Sequence, residues 1–553
     1  MLNRRRFIGL GVGACLGPHF AAGADRERSP LTLPEAHREI LRQRRKRIVV
    51  QQDVYWVMAN YAKLHPEGTA PFAPFRDAVF SFVDEPGSQI DAIWWDIGGS
   101  AVGNAYPSQF STVPPPPLAK RWADAGLDWV AELVKETRRR KLEVFWNHRI
   151  SEVEIKPEGG TSKEPDPLKV QHPDWVAPAA WWPQGMWNLA SEGLREHKVG
   201  VLRELATRYN FDGMQIDFSR HVPCLPVGRQ WELRGEVTRF MRMVRRMLLE
   251  VAAQRGRPLL LAAKVPENPK GCHMDGFDVN AWAEQNLVDV LTLGSRTMDV
   301  DVEGMRALVG RGVQLQPCFD DHHATDGYRY VPLGYLRGIF ANHWQRGADS
   351  VVTFNWAVAP PEVAKKVGGE IAPPTHEAAF NEVGDPRSIA GKDKSFAVER
   401  RGGYPWAEGY FNRNDDAPLP ARFPSGSPSQ KFILHLSDAP TAKAELILRC
   451  VWFQTQTGDE FVTRLNGVSL ALKEGDAAWK DPQIFSPKPQ PPSGGKGEYK
   501  ANPQQRLSRL DHVVPAGVWR QGANEVEITV ASPAAEAALA PQLEKLEGLL
   551  HYL

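Results

Sequence analysis

Cysteine is scarce in this chain, with five residues in 553. None forms a CxxC pair or a Cys/His spacing suited to zinc. That excludes a structural zinc module and a disulfide framework as the basis of the fold. Charge of one sign is lacking too. Lys and Arg number 67 and Asp and Glu 66, a net charge of +1, which excludes nucleic-acid binding driven by bulk electrostatics. No apolar run is long enough to span a bilayer as a helix. No glycine-rich phosphate loop follows any strand-like segment, which argues against nucleotide chemistry, and no cofactor is expected. With 42% hydrophobic residues the chain is not a disordered one, and its length fits two or three domains.

What is present begins with an address. Asn3-Arg4-Arg5-Arg6-Phe7-Ile8-Gly9 is a twin-arginine pattern, followed by a short apolar run to Cys15 and by Ala22-Gly23-Ala24. Together they read as a Tat leader over residues 1–24, cleaved after Ala24, and predict a periplasmic or secreted protein. Cys15 is a weak lipoprotein signal. The other cysteines, Cys224, Cys272, Cys318 and Cys450, need form no disulfides in a protein that folds in a reducing cytosol before export.

Eight short apolar runs, rich in β-branched and aromatic residues, then recur with helical stretches between them. They are Arg47–Gln52, Asp91–Ile97, Leu142–His148, Asp212–Asp217, Pro258–Lys264, Val288–Gly294, Gly312–Cys318 and Ser350–Asn355. The intervening segments Leu118–Lys141, Glu196–Tyr209 and Glu232–Arg255 carry apolar residues at helical spacing. Eight such units in about 300 residues predict a closed parallel (β/α)8 TIM barrel over residues 40–358. Long connections at Tyr55–Ala78, Gly98–Pro117 and Ser151–Pro183 follow strand ends, on the face where barrel loops build sites. Residues 359–429 read as a linker and connecting segment, because Ala359–Gly403 is rich in Pro, Gly and Lys. From Gln430 the pattern alternates, with strands at 431–436, 444–449, 460–465 and 525–530 and a turn at Asn466-Gly467. Residues 430–553 are therefore expected to form an all-β sandwich of jelly-roll type, with a mobile insertion at Asp481–Gln504.

Ionisable residues gather where the barrel strands end. The fourth strand ends in Asp217, followed by Arg220 and His221; an Arg beside an Asp keeps it ionised, which suits a nucleophile or base. Asn147, His148 and Arg149 end the third strand as a hydrogen-bonding floor. Lys264 ends the fifth, and Glu267 just beyond it suits a general acid if desolvated. Asp320, Asp321, His322 and His323 follow the seventh strand and suit substrate-holding carboxylates or a metal site. Asp53 and Asp96 complete a ring of acids. The chain holds 18 Trp; Trp94, Trp95, Trp146, Trp182, Trp187 and Trp356 lie near strand ends or mouth loops, where they offer sugar-stacking faces or pack the core. Acids plus aromatics in an exported barrel point to glycoside chemistry and a carbohydrate substrate.

Several stretches carry a family resemblance. Arg45-Lys46-Arg47-Ile48-Val49-Val50-Gln51-Gln52-Asp53 and Pro86-Gly87-Ser88-Gln89-Ile90-Asp91-Ala92-Ile93-Trp94-Trp95 resemble the opening of bacterial family-10-like glycosylhydrolases. The likeness continues through His172-Pro173-Asp174-Trp175, Trp187-Asn188-Leu189-Ala190, Asp212-Gly213, Asp217-Phe218-Ser219-Arg220-His221 and Gly276 to Trp282. It implies a TIM barrel acting on glycosides, with Asp217 and Arg220 as site residues. A more distant similarity to the α-amylase superfamily lies in the order Asn147-His148, Asp217, Glu267, Asp321. That likeness implies Asp217 as nucleophile, Glu267 as acid/base and Asp321 as transition-state stabiliser. Gln215 stands where that pattern has Arg, and Asp320-Asp321-His322 departs from its His-Asp order. The rival readings are a non-catalytic carbohydrate-binding barrel and a metal-dependent hydrolase using the Asp320–His323 cluster.

Overall fold

The computed structural model describes residues 29–553, except for 69, 98–105, 112–113, 152, 155–161, 163, 181, 220–221, 321–330, 357–358, 370, 401–408, 412–415, 442, 482–506 and 532–539. The expected leader and nearly all of the expected insertion lie outside the described residues.

The strands of the first part are β1 (Ile48–Asp53), β2 (Ile90–Asp96), β3 (Glu143–Arg149), β4 (Val176–Ala179), β5 (Trp182–Trp187), β6 (Gly213–Asp217), β7 (Leu260–Val265), β8 (Val290–Leu293), β9 (Gln314–Phe319) and β10 (Val351–Phe354). Strands β4 and β5 form a hairpin in the loop after β3. The other eight close into a parallel barrel, in the order β1-β2-β3-β6-β7-β8-β9-β10 and back to β1. They are the eight strands expected from the sequence. Side chains alternate between the barrel interior and the helix layer, as the two-residue period of a strand requires. Val49, Ala92, Trp94, Phe145, Leu260, Ala262, Val290, Cys318, Val352 and Phe354 fill the interior as one apolar cluster. Trp94 stacks flat on Phe145, with ring centroids 4.4 Å apart. Gly213 makes room for that pair, since a Cβ there would sit 2.4 Å from the Phe145 ring and 2.6 Å from the Leu260 carbonyl. The outward residues pack with the helices into the main core.

Two expectations change. The stretch 118–141 is two helices, Pro117–Asp124 and Trp129–Arg139, and not one. Gly126 at φ +81° ends the first, and the Asp128 carboxylate caps the second by accepting from the Ala131 amide. The stretch read as a linker carries the helices Pro361–Val367, Pro374–Phe380 and Pro386–Ile389. Val367, Ala379, Phe380 and Val383 from this stretch enter the barrel's main core. Proline at the first helical position, which made the stretch look like loop, is where helices accept it.

The remaining strands are β11 (Lys394–Ala397), β12 (Ala421–Arg422), β13 (Gln430–Leu436), β14 (Ala444–Phe453), β15 (Glu460–Leu465), β16 (Val468–Ser469), β17 (Ala471–Trp479), β18 (Leu507–Val514), β19 (Gly522–Ala531) and β20 (Gln542–Tyr552). One antiparallel sheet runs β11-β20-β14-β18-β17, with β12 also on β20. The other runs β13-β19-β15-β16. Both contribute to one core, with Phe432, Leu434, Val526 and Ile528 meeting Leu448, Cys450, Trp452, Leu546 and Leu550. Asn466 and Gly467 turn β15 into β16 with φ of 48° and 84°, the left-handed pair that a two-residue hairpin needs.

The sandwich docks on the barrel helix Leu333–Gln345. Strand β11 lies against this helix where Gly334 and Gly338 leave its surface bare; a Cβ on Gly338 would sit 2.1 Å from the Ser395 carbonyl oxygen. Gly338→Ala is expected to lower stability by about 1–3 kcal/mol in thermal or denaturant unfolding. Gly235→Ala, in a helix with open space around it, should be neutral or mildly stabilising. Equal effects of the two would contradict this docking.

Candidate active site

Asp217 closes β6 at the carboxyl end of the barrel and is buried. Its Oδ1 accepts the Ser219 amide at 2.9 Å and the Ser219 hydroxyl at 2.6 Å. Its Oδ2 accepts Gln51 Nε2 at 3.0 Å and Asn147 Nδ2 at 3.2 Å. Burial alone would raise this carboxyl; the positive charge of Lys264, the Ser219 hydroxyl and Arg149 outweigh it and hold it below the usual carboxylate range. Lys264 Nζ donates to Gln51 Oε1 at 3.1 Å and lies over the Phe354 ring.

A second carboxylate stands beside the first. Asp96 Oδ2 accepts Asn147 Nδ2 at 3.0 Å and lies 2.8 Å from Arg149 Nη2. The same Arg149 nitrogen lies 2.8 Å from Asp53 Oδ2. Strands β1, β2, β3, β6 and β7 thus bring Asp53, Asp96, Asn147, Arg149, Asp217 and Lys264 into one network. Arg149 and Lys264 supply the cations around Asp217. Arg220, the cation the sequence placed there, lies outside the described residues, as do His221, Asp321, His322 and His323.

Beneath this group runs a polar belt that the sequence reading missed. Gln215 Nε2 donates to Asn147 Oδ1 at 2.6 Å, and Thr292 Oγ1 donates to Gln215 Oε1. Gln316 Nε2 donates to Thr292, and Ser350 Oγ donates to Gln316 Oε1. The signal was present as parity. Gln51, Asn147 and Gln215 each precede the last inward residue of their strands (Asp53, Arg149 and Asp217) by two. Gln215, which stands out against the amylase-like pattern, is a node of this belt.

Parity also removes residues from the group. His148 lies between the inward Asn147 and Arg149, so its ring faces the helix layer, where it meets Trp146, Lys198 and His197. Burial, then the nearby Lys198 charge, hold it neutral. It is not placed to hold a ligand at the mouth. Trp356 is likewise a packing residue. It stacks on His376 at 4.4 Å, packs on Phe380 and donates to the Phe319 carbonyl. Trp94, Trp95, Trp146, Trp182 and Trp187 are buried too and offer no open stacking face. Asp320 is buried 3.5 Å from Arg296 Nε. Among the described residues no three His, Cys, Asp or Glu are arranged to hold a metal ion, and no helix is long and apolar enough to cross a membrane.

Glu267 is buried two residues past β7, with Asp275, Asp416 and Asp299 as its charged neighbours rather than the Asp217 network. Burial, helped by those acids, pushes its carboxyl up to about 8. Tyr410 stands close to it. The Tyr410 and Phe411 amides donate to Asp275, and the Tyr410 hydroxyl accepts from Asn268 and donates to Asp416. The segment read as connecting chain is thus fastened over the β7 loop.

No protein-family model matches the chain, and no curated protein matches it in sequence. The likeness to family-10-like glycosylhydrolases therefore rests on the quoted motifs alone. Several solved structures align with the chain at low similarity, among them glycoside hydrolases and a chitinase-like agglutinin of Robinia pseudoacacia. Alpha-L-fucosidase isoenzyme 2 of Paenibacillus thiaminolyticus is 12% identical, over 64% of this chain and 52% of that one, with a TM-score of 0.39. A noncanonic maltogenic alpha-amylase of Thermotoga neapolitana is 10% identical over 86% and 98%, at 0.37. A family GH18 chitinase of Chromobacterium violaceum is 10% identical over 92% and 90%, at 0.36. The chain spans about half the length of the fucosidase. At these scores no residue role is carried across.

Glu267 generates a prediction about pH. In the folded protein it stays protonated to about pH 8, whereas an unfolded Glu ionises near 4.5. Between those values the unfolded state binds fewer protons, so stability falls as pH rises. Glu267→Gln should remove that slope and gain on wild type, by roughly a few kcal/mol, between pH 4.5 and 8 in denaturant titrations. Parallel stability curves for the two proteins would contradict the placement.

Proposed function

We propose that the chain is an exported glycoside hydrolase acting on a poly- or oligosaccharide, with Asp217 as nucleophile or base. The observation that carries this reading is the ionised, buried Asp217 at the carboxyl end of a barrel strand, sharing Asn147 and Gln51 with Asp96. Barrel enzymes place their chemistry at that end. Glycosidic bonds are cleaved by one carboxyl that protonates the leaving oxygen while another attacks or activates water. Asp217 has the charge state of the second. Glu267 has the protonation state of the first and is one candidate acid; Asp321 is the other. Arg149, Lys264 and Arg220 would keep Asp217 ionised and meet sugar hydroxyls. The twin-arginine pattern and Ala22-Gly23-Ala24 support export.

A non-catalytic carbohydrate-binding barrel is the second reading, and one observation favours it. Gln51, Asn147 and the two Ser219 donors occupy all four acceptor positions of Asp217, so a catalytic Asp217 must exchange one of them for substrate. Incubating the purified chain with a panel of polysaccharides separates the two. The glycosidase reading expects reducing ends from at least one substrate, with Asp217→Asn slower by about 10^2–10^4-fold or more. Binding without release, or full activity in Asp217→Asn, would overturn it.

A further inference from the structure

A concave site lies at the seam between barrel and sandwich, lined by none of the residues of the Asp217 group. It is a cavity of about 260 Å³ between the helix Leu333–Gln345, the loop after β8 and strand β13. Its charged lining is spent within the protein. Asp299 pairs with Arg346 at 2.6 Å and Lys431 with Glu525 at 2.9 Å. Asp416 pairs with Lys270, and Glu399 accepts the Met298 and Asp299 amides. The rest of the lining is largely uncharged. Met298, Ile339 and Ile433 are apolar lining. His343 lines the cavity at 1% exposure with its Nε2 lacking any hydrogen-bond partner, and the neighbouring Asn342 Oδ1 lacks one as well. Burial, then Arg346, push the imidazole down to about 3, so it is neutral at every ordinary pH.

Two such atoms, left unpaired in a buried setting, cost free energy unless something satisfies them. A hydroxyl group suits both. It donates to the Asn342 oxygen, and it either donates to or accepts from the imidazole nitrogen, according to tautomer. The lining cations Arg346 and Lys431 are each matched by a carboxylate, so an anion finds no free positive charge here. The volume lies below the roughly 300 Å³ at which drug-sized ligands begin.

We infer that this seam is a binding site for a neutral, hydroxylated ligand of one sugar ring, held by His343 and Asn342 against an apolar wall. It is independent of the role assigned to Asp217. The test uses the whole chain carrying Asp217→Asn, so that turnover does not intrude. The probes are methyl glycosides of glucose, galactose, mannose and N-acetylglucosamine, with methyl glucuronide as the charged counterpart. At least one neutral glycoside is expected to bind saturably by calorimetry and to raise Tm. His343→Leu should weaken that binding about tenfold. Ile433→Trp, at a position 49% exposed and so tolerant of change, should fill the cavity and weaken it at least as much. The inference is overturned if no neutral glycoside binds, if methyl glucuronide binds as well as the neutral probes, or if binding is unchanged in the folded Ile433→Trp protein.

Discussion

A carboxylate taken out of water inside a closed barrel is costly unless it is paired and hydrogen-bonded, and much of the interior follows from holding Asp217 there. Lys264 and Arg149 supply the opposite charge, and Ser219, Gln51 and Asn147 supply donors. Each of those groups must itself be oriented. Gln51 is fixed by Lys264, Asn147 by Gln215, and Arg149 by Asp53 and Asp96. The belt through Thr292, Gln316 and Ser350 then carries the order across the barrel to β10. In such a chain one defect leaves a buried group unsatisfied. The apolar layer of Trp94 and Phe145 forms the rigid floor on which this polar layer stands.

The second part of the molecule is tied to the first by more than one route. Bare glycines on the helix Leu333–Gln345 let β11 approach, and the sheet behind it brings a buried charged set. Lys545 lies 2.6 Å from Glu547 and 2.8 Å from Asp481, while Tyr335 of the barrel donates to Glu547. Arg400 and Glu544 pair in full burial nearby. Buried ion pairs of this kind penalise any arrangement that separates their members. The connecting segment adds Tyr410, seated against Gly271 and hydrogen-bonded across the β7 loop beside Glu267. The barrel and sandwich therefore share surfaces, and the seam cavity is a product of that sharing.

The barrel was legible because its strands are short apolar runs with turn residues at both ends, a pattern independent of what they surround. The site was half legible. Strand-end polar residues announce a mouth, but only parity separates Asn147 and Arg149, which face in, from His148, which faces out. The tryptophans misled because a large aromatic near a strand end has the same spelling in a sugar platform and in a core; Trp356 sits under His376. The helices at 361–389 were hidden by their own proline starts. Strand β17 escaped because both its faces are largely exposed and no alternation is imposed on it. Strand β20 escaped because its buried positions include Glu544, Lys545 and Glu547, whose burial depends on partners far away in sequence.

The most direct measurement of the central claim is covalent capture at the barrel mouth. Epoxypropyl glycosides of several neutral sugars would be offered to the purified protein, and the modified carboxylate located by peptide mass mapping. The account predicts a single ester on Asp217, suppressed by excess of a sugar that the protein binds. An ester on a carboxylate outside the Asp53–Asp96–Asp217 group, with Asp217 unmodified, would contradict it.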